Sequence, residues 1–349
     1  MTKVQNGSIW FASMNTGQGF KTFFREIFDP LERVYVIKGG SGTGKSRLMR
    51  ELCEKAEMLG YTTEAILCSS DPTSLDGVII KELGVGIVDG TAPHVHEPTL
   101  IGARESIVDL SAFLDHPYLK TKREEISALL EAKSFRYRRV YDYLKVISVY
   151  DEAVKELYLR CADKEKLSRI AARYLSGAKR SAKYVKNVRI RSAACENDVV
   201  LDTYARIAGG RVAVSECAGL GNVFLSELIN QSDRLGLSAT VSYSPYFPTL
   251  PDAVYYPDTD TSFYIGSETD FEESHLNIKR VLSDKHLRAF KPEIRAIKRL
   301  RGAALEQMRY DVRTVRRLHT ELEKIYMSAM CFTEKECLTQ RLSKEIFSC

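Results

Sequence analysis

Residues 34–46 decide the fold of this chain, and they read Val-Tyr-Val-Ile-Lys-Gly-Gly-Ser-Gly-Thr-Gly-Lys-Ser. The last eight of them match the pattern G-x-x-x-x-G-K-[ST], which is typical of a phosphate-binding loop, or P-loop. Such a loop lies between a strand and a helix. The β-branched run 34–37 predicts the strand, and residues Ser46 to Leu59 predict the helix, with Gly60 as its C-terminal cap.

Each part of the loop has a chemical role in this pattern. Glycines let backbone N–H groups come close to a polyphosphate and face it. We expect Lys45 to reach the β- and γ-phosphates and the Ser46 hydroxyl to ligate magnesium. The helix that begins at Ser46 adds its positive N-terminal end. The predicted cofactors are ATP and Mg²⁺, and the predicted nucleotide-binding residues are Gly39, Gly40, Ser41, Gly42, Thr43, Gly44, Lys45, Ser46 and Arg47.

Two carboxylates are candidates for the chemistry beside the loop. Asp89 ends the apolar run 85–88, and Asp71 follows Ile66-Leu67-Cys68 after two serines. We assign Asp89, with Ser46, to the magnesium ion. Asp71 is assigned either to a position behind the metal or to a base that takes a proton from water or from a substrate hydroxyl. The predicted catalytic residues are therefore Lys45, Asp89 and Asp71. The competing interpretation is that each aspartate only caps a turn, because Asp-Gly and Asp-Pro are common turn pairs.

Composition indicates a globular protein with room for two domains. The chain has 349 residues, of which 44% are hydrophobic and 28% charged. No apolar stretch approaches the roughly 20 residues that span a bilayer, and the first residues lack a signal-peptide core. Eight scattered cysteines contain no C-x-x-C pair, which argues against a zinc site or a disulfide framework. We therefore expect a cytoplasmic protein.

Positive charge is concentrated in one segment. The net charge is +5, and residues 166–194 contain no Asp or Glu but nine Lys and Arg, from Lys166 to Arg191. This segment fits either a solvated helix face or a surface for phosphates, nucleic acid included. It also fits a basic lid over a nucleotide.

The chain predicts an α/β fold that is duplicated. Strands 63–68 and 85–88 alternate with helices, which predicts a parallel sheet with flanking helices. Residues 51–91, moved by 176 positions onto 227–267, give nine identities by our count. The predicted halves are 1–190, with a helical hairpin arm at about 100–188, and 191–349, with a C-terminal arm at about 269–349. The second loop, 216–223, has no lysine or hydroxyl at the positions of Lys45 and Ser46. We therefore predict that only the first half is an active P-loop NTPase and that the second is a pseudo-NTPase domain.

Four strings resemble an uncharacterised bacterial family. The strings lie at 15–20, 38–46, 68–78 and 89–95, and they read N-T-G-x-G-F, K-G-G-x-G-T-G-K-S, C-S-S-D-P-x-S-L-D-G-V and D-G-T-A-P-H-V. The family consists of tandem P-loop proteins, mainly from Gram-positive bacteria, that are described as ATPases or as nucleotide-kinase-like. The resemblance implies two P-loop halves. This chain departs from the family in its second loop, which commonly is intact there.

Three functions remain open from the sequence. The first is an ATPase that uses only the N-terminal half, while the second half and the arms transmit or receive a conformational change. The second is a small-molecule kinase of the nucleoside or nucleotide type, with Asp71 near the acceptor. The third is a nucleotide-gated module that holds nucleic acid or a protein through the basic segment 166–191.

Overall fold

The computed structural model of the chain describes residues 7–91, 96–266 and 274–347. It is an α/β structure, about half helical, with two mixed sheets of six strands each. The predicted α/β class is confirmed at this level.

The elements of the first part of the chain are β1 Gly7–Phe11, β2 Ser13–Thr16, β3 Gly19–Thr22, α1 Phe24–Phe28, β4 Arg33–Lys38, α2 Lys45–Met58, β5 Thr63–Leu67, β6 Leu75–Ile80, β7 Val85–Asp89, β8 Glu105–Asp109, α3 His116–Thr121 and α4 Arg123–Arg160. Those of the second part are α5 Lys164–Tyr174, β9 Lys186–Val188, β10 Ser192–Ala193, β11 Val199–Val200, α6 Thr203–Arg206, β12 Gly210–Ser215, α7 Leu220–Leu235, β13 Ala239–Tyr243, β14 Pro251–Tyr256, β15 Thr261–Gly266, β16 His275–Leu276, α8 Asp284–Ala329 and α9 Phe332–Phe347. Short 3-10 helices lie at Ser111–Phe113, Pro257–Thr259 and Ile278–Val281.

The two large sheets have the same strand order. The first is β1-β5-β6-β7-β4-β8 and the second is β9-β13-β14-β15-β12-β16. In both, one strand (β6 or β14) is antiparallel to its two neighbours, and the other neighbouring pairs are parallel. The predicted sheet was parallel throughout. It is mixed because the connections 68–74 and 81–84 are too short for the crossover that a parallel pair requires.

The offset of 176 residues that relates the two halves in sequence also relates them in structure. It carries the bounds of β5 onto those of β13 and the bounds of β6 onto those of β14. It carries β7 onto 261–265 within β15, and α2 onto 221–234 within α7. The architecture is therefore consistent with a duplicated α/β fold.

Contacts divide the chain into two compact units. The first unit comprises residues up to 13, residues 22–140 and residues from 310 onward, and the second comprises 14–21 and 141–309. This division differs from the predicted one near residue 190 for two reasons. The segment from 310 onward groups with the first sheet, and β9 at 186–188 already belongs to the second sheet. The divisions near 140 and 309 fall inside α4 and α8, and the predicted arm at about 100–188 contains α3, α4 and α5.

Each unit has its own apolar core beside its sheet. In the first unit, α2 buries Leu48, Met49, Leu52, Cys53 and Ala56, which recur at helical spacing on one face. In the second unit, α5 and α7 bury Leu167, Ile170, Phe224, Leu225 and Leu228 in one cluster with the sheet. Burying these faces fixes the helix after each loop against its sheet, and that positions the loops themselves.

Within the described parts of the chain, no helix combines the length and the apolar character that crossing a membrane requires.

Candidate functional site

The glycine-rich loop 39–44 connects β4 to α2 at the carboxyl end of parallel strands. β4 lies between β7 and β8 and is parallel to both, so the ends of all three strands meet at this edge of the sheet. Gly42 has φ 73° and Gly44 has φ 84°, both in the left-handed region that favours glycine. Gly44 is the residue directly before α2. The backbone therefore turns sharply into the N-terminus of a 14-residue helix.

Lys45 lies folded over the loop. Its Nζ donates hydrogen bonds to the carbonyl oxygens of Gly39, at 3.0 Å, and Gly40, at 2.8 Å. The same atom lies 3.7 Å from Oδ2 of Asp89, and both side chains are largely buried, 13% and 12% exposed. A cation and a carboxylate are thus held together at the mouth of the loop.

Asp89 makes the contact expected of a turn cap and also lies beside Lys45. It is the last residue of β7 and pairs with Ile37 on β4, which brings it to the end of the strand that precedes the loop. Its Oδ1 accepts a hydrogen bond from the Thr91 backbone N–H at 2.8 Å, as a turn-capping aspartate does. Its other oxygen, Oδ2, faces Lys45. The capping role and the charge role therefore use different oxygens of one carboxylate.

Ser46 and Arg47 both have protein partners. The Ser46 hydroxyl oxygen accepts a hydrogen bond from the Leu75 N–H at 2.9 Å, which ties α2 to the start of β6. A hydroxyl has two lone pairs, so this bond leaves one for a metal ion. Arg47 is 68% exposed and donates from Nε to Glu51 at 2.8 Å, one helical turn further on. The Arg47 charge is therefore directed along α2.

Asp71 lies in a turn. Its Oδ1 accepts hydrogen bonds from the backbone N–H of Thr73, at 3.2 Å, and from the Thr73 hydroxyl, at 2.7 Å. This arrangement is the one that the turn interpretation of Asp71 expects. Its role as a base stays a prediction.

Three side chains of the first unit near the loop were not predicted from the sequence. Lys133 on α4 lies with its Nζ 2.9 Å from Nδ1 of His319 on α8, and His319 Nε2 lies 3.5 Å from Oε1 of Glu323. Burial, with the Lys133 charge alongside, lowers the pKa of His319 to about 4. Burial raises the pKa of Glu323, and the Asp71 carboxylate adds to that rise. Lys133 and His319 are 186 residues apart in sequence, and neither belongs to a motif, so no local signal could have paired them.

Helix α8 packs directly against the glycine-rich loop. A Cβ atom on Gly42 would lie 2.7 Å from the backbone oxygen of Glu323, and one on Gly40 would lie 3.1 Å from the ring of Tyr326. Any residue larger than glycine at position 42 would collide with the helix. Gly40 and Gly42 thus have a packing reason to be glycine besides the phosphate chemistry that the motif predicts.

The second loop, 216–219, connects β12 to α7 at the corresponding place and carries a carboxylate of its own. Oε1 of Glu216 accepts a hydrogen bond from the backbone N–H of Gly219 at 3.4 Å. Gly219 has φ 81° and directly precedes α7, as Gly44 precedes α2. An acidic side chain therefore lies at the helix N-terminus, where its charge is stabilised and where it would repel a phosphate.

The position of Ser46 is taken by Asn222 in the second half. Asn222 donates from Nδ2 to the Pro251 carbonyl at 2.8 Å, and Pro251 corresponds to Leu75 at the offset of 176. Proline has no N–H to donate, so the direction of the hydrogen bond is reversed while the tie between helix and strand is kept. This position serves structure in the second half.

Metal ligands do not cluster in the described residues. Among them, no group of three or more His, Cys, Asp and Glu side chains is arranged to hold a metal ion. His94, in the string 89–95, lies outside the described residues, and His96 is buried against Phe28. The assignment of Ser46 and Asp89 to magnesium stays a prediction. It needs few protein ligands, because Mg²⁺ bound with nucleotides takes most of its ligands from phosphates and water.

The basic segment 166–191 is spread over several elements. The apolar face of α5 is buried in the second unit, Lys186 on β9 pairs with Asp233 at 2.7 Å, and Arg191 is only 6% exposed. Part of its charge is therefore used within the fold. Nucleic-acid binding by the segment stays a prediction.

Comparison of the chain with protein-family models, with curated proteins and with solved structures found no match.

Proposed function

We propose that the first half of this protein binds a magnesium–nucleoside triphosphate complex, most simply Mg-ATP, and hydrolyses it. The observation that carries the proposal is the arrangement of Lys45. Its ammonium group is held by two loop carbonyls, 3.7 Å from Asp89, at the N-terminus of α2 and at the end of three parallel strands. Open α/β sheets bind their ligands at this edge.

The residues of the loop fit a polyphosphate. Backbone N–H groups of 40–45 supply neutral donors, α2 supplies the positive end of a helix, and Lys45 supplies a mobile cation that can leave the carbonyls for an anion. Ser46 and Asp89 would hold the magnesium ion, which supplies positive charge that offsets charge developing on the phosphates. Lys45 would then attract the phosphate oxygens, and Asp89 would hold the magnesium ion.

The second half is proposed to be a pseudo-NTPase. The Glu216 carboxylate already accepts a hydrogen bond from the Gly219 N–H directly before α7, and Asn222 takes the place of the predicted metal ligand Ser46. Binding a triphosphate there would bring like charges together without a loop lysine at the position of Lys45.

A test of the proposal compares Lys45→Ala with Lys55→Ala. Lys55 is an exposed lysine on the same helix, so it is a matched control for loss of positive charge. Titration calorimetry with Mg-ATP is expected to show one site per chain, with affinity reduced roughly 10- to 100-fold in Lys45→Ala and unchanged in Lys55→Ala. Phosphate release should fall to background in Lys45→Ala alone. Equal ATP binding by the two variants would overturn the proposal.

A kinase is the second candidate, and the surroundings of Asp71 favour it. The charges of Asp71, Lys45 and Lys133 act on Glu323, so an acid with a raised pKa lies within electrostatic reach of the loop. Glu323 could accept a proton from an acceptor hydroxyl. ATP labelled at the γ-phosphate separates the two candidates. Label found only in inorganic phosphate supports the ATPase, and label in one compound of a nucleoside and nucleotide panel supports the kinase.

A further inference from the structure

The second unit contains a cavity beside its loop that no part of the proposed nucleotide chemistry uses. Its volume is about 560 Å³, and its lining includes Glu216, Ala218 and Asn222 from the loop and α7. This volume is within the usual range for small-molecule sites. All of the lining residues belong to the second unit.

Arg191 lines the cavity and is unusual for an arginine. It is 6% exposed, and its Nε and Nη1 atoms have no hydrogen-bond partner among the described residues. Its guanidinium group lies over the ring of Tyr264, 5.4 Å from the centroid. Two buried guanidinium nitrogens without hydrogen bonds are costly, since buried polar groups are normally paired. Burial lowers the pKa of Arg191 and the charge of Asp252 opposes that effect, but Nε and Nη1 have no acceptor among the described residues, and a ligand carboxylate could supply one.

Asp252 lines the same cavity with the opposite charge. It is 7% exposed, and its Oδ2 accepts a hydrogen bond from the Ser192 hydroxyl at 2.6 Å. Its Oδ1 is buried and has no hydrogen-bond partner among the described residues. The carboxylate can therefore accept from a further donor.

Other charged groups of the lining are already satisfied by one another. Arg301 donates to both oxygens of Asp151, at 2.6 and 3.0 Å. The Tyr246 hydroxyl lies 2.9 Å from each carboxylate oxygen of Asp198. These pairs shape the wall and leave Arg191 and Asp252 as the buried groups with unused hydrogen-bonding capacity.

The lining of the cavity also contains an exposed cation and an exposed carboxylate. Lys298 on α8 and Glu216 in the loop both line it, and both side chains are exposed. Tyr246 and Phe247 add aromatic surface to the lining. Cations and carboxylates are thus mixed, which suits a ligand with charges of both signs better than a polyanion such as a nucleotide.

We propose that this cavity binds a small zwitterionic metabolite of the amino-acid class, with its carboxylate toward Arg191 and its ammonium group toward Asp252. The ligand supplies hydrogen-bond partners for the buried Nε and Nη1 atoms of Arg191 and for Oδ1 of Asp252. The side chain of the ligand lies toward the aromatic surface. The proposal is independent of nucleotide binding in the first half.

Titration calorimetry and thermal-shift measurements on the full chain test this proposal with the 20 common L-amino acids, one at a time. Propionate and propylamine serve as probes that carry only one of the two charges. At least one amino acid is expected to bind with one site per chain, and both single-charge probes at least tenfold more weakly. Absence of binding by every amino acid at millimolar concentration would overturn the proposal, and so would equal binding by propionate.

Variants locate the site. Asp252→Asn and Arg191→Lys are each expected to weaken binding about tenfold, because each alters one charged contact. If Arg191→Lys fails to fold, Asp252→Asn, which keeps the size of the side chain, decides the matter. Lys298→Met should weaken binding severalfold, and its matched control is Lys291→Met, an exposed lysine on α8 outside the cavity lining. An amino acid that binds equally to Asp252→Asn would refute the assignment. Lys45→Ala should leave amino-acid binding unchanged, which separates this result from the nucleotide proposal.

Discussion

Replacing Gly42 by alanine tests whether the packing of α8 against the glycine-rich loop requires a glycine at this position. Gly42 has φ 73°, and a Cβ there would lie 2.7 Å from the backbone oxygen of Glu323. The left-handed conformation costs alanine about 1–2 kcal/mol. The collision with the helix backbone adds about 1–3 kcal/mol, because backbone atoms have no rotamer with which to move away. We expect a total loss of about 2–5 kcal/mol in the free energy of unfolding.

Gly60→Ala is the matched control for this change. Gly60 also has positive φ, 87°, but a Cβ there would meet nothing within 4 Å. Its replacement should therefore cost only the conformational part, about 1–2 kcal/mol. The difference between the two variants measures the contact between loop and helix.

The assay follows the single tryptophan of the chain during urea unfolding. Trp10 is buried on β1 and belongs to the first unit, so its fluorescence reports on the unit that contains the loop. Hydrogen exchange of the amides at 320–329 should also become faster in Gly42→Ala alone, because the strain is relieved by moving α8 away. Equal loss of stability in both variants, with unchanged exchange at 320–329, would refute the reasoning.

Three further predictions concern side chains with defined partners. Asp311 is fully buried and accepts hydrogen bonds from two arginines of α4, at 2.8 and 2.9 Å, so Asp311→Asn should cost about 3–5 kcal/mol in urea unfolding. The pKa of His319, about 4 in the folded state, lies below its ordinary 6.5, so the unfolded state takes up the proton first as pH falls. Stability should decline as pH drops from about 6.5 to about 4, by about 1 kcal/mol at pH 5 once the 36% exposure of His319 is allowed for, and this loss should be absent in His319→Gln. Asn222→Leu removes the donor to the Pro251 carbonyl and should cost about 1–3 kcal/mol in thermal unfolding followed by circular dichroism.

Each of these variants has a control on the same helix. Glu321→Gln removes an exposed carboxylate from α8 and should change stability by less than about 1 kcal/mol. If Asp311→Asn has an equally small effect, the buried Asp311 carboxylate does not stabilise the fold as proposed. His286→Gln replaces an exposed histidine and should keep the wild-type pH dependence of stability. If His319→Gln also keeps that dependence, His319 is not the group whose protonation lowers stability at acid pH. Asn230→Leu on α7 is exposed, and Asn222→Leu should be clearly less stable than it.

The sequence predicted the elements around the loop well, because they carry strong local signals. β4, α2, β5 and β7 lie within one or two residues of the predicted bounds. β6 was missed because Asp76-Gly77 in its middle is typical of a turn, whereas the structure places this pair in a buried strand. Its antiparallel direction follows from loop length, which a pattern of alternating strands and helices does not reveal.

The surroundings of Lys45 could be predicted only in part. Asp89 was found because it ends an apolar strand next to the loop strand, a relation that sheet topology makes local. His319 and Glu323 lie on α8, which begins more than 200 residues after the loop. Neither residue belongs to a recognisable sequence motif. Their approach depends on which helix packs against which sheet, and neither hydrophobic periodicity nor spacing determines that choice.

The helices that follow the two loops are tied to the antiparallel strand through different residues. In the first half Ser46, the second residue of α2, is hydrogen-bonded to Leu75 at the start of β6. In the second half Asn222, the third residue of α7, is hydrogen-bonded to Pro251 at the start of β14. β6 and β14 are each antiparallel to both neighbouring strands, and in each half this hydrogen bond joins the start of that strand to the helix after the loop. A serine hydroxyl can make the tie and still offer a lone pair to a metal ion, whereas the Asn222 amide donates its N–H and presents no such hydroxyl. The second half therefore keeps the tie between helix and strand at this position without a serine hydroxyl, which agrees with the proposal that it is a pseudo-NTPase and that its cavity, with Arg191 and Asp252, binds a ligand of a different class.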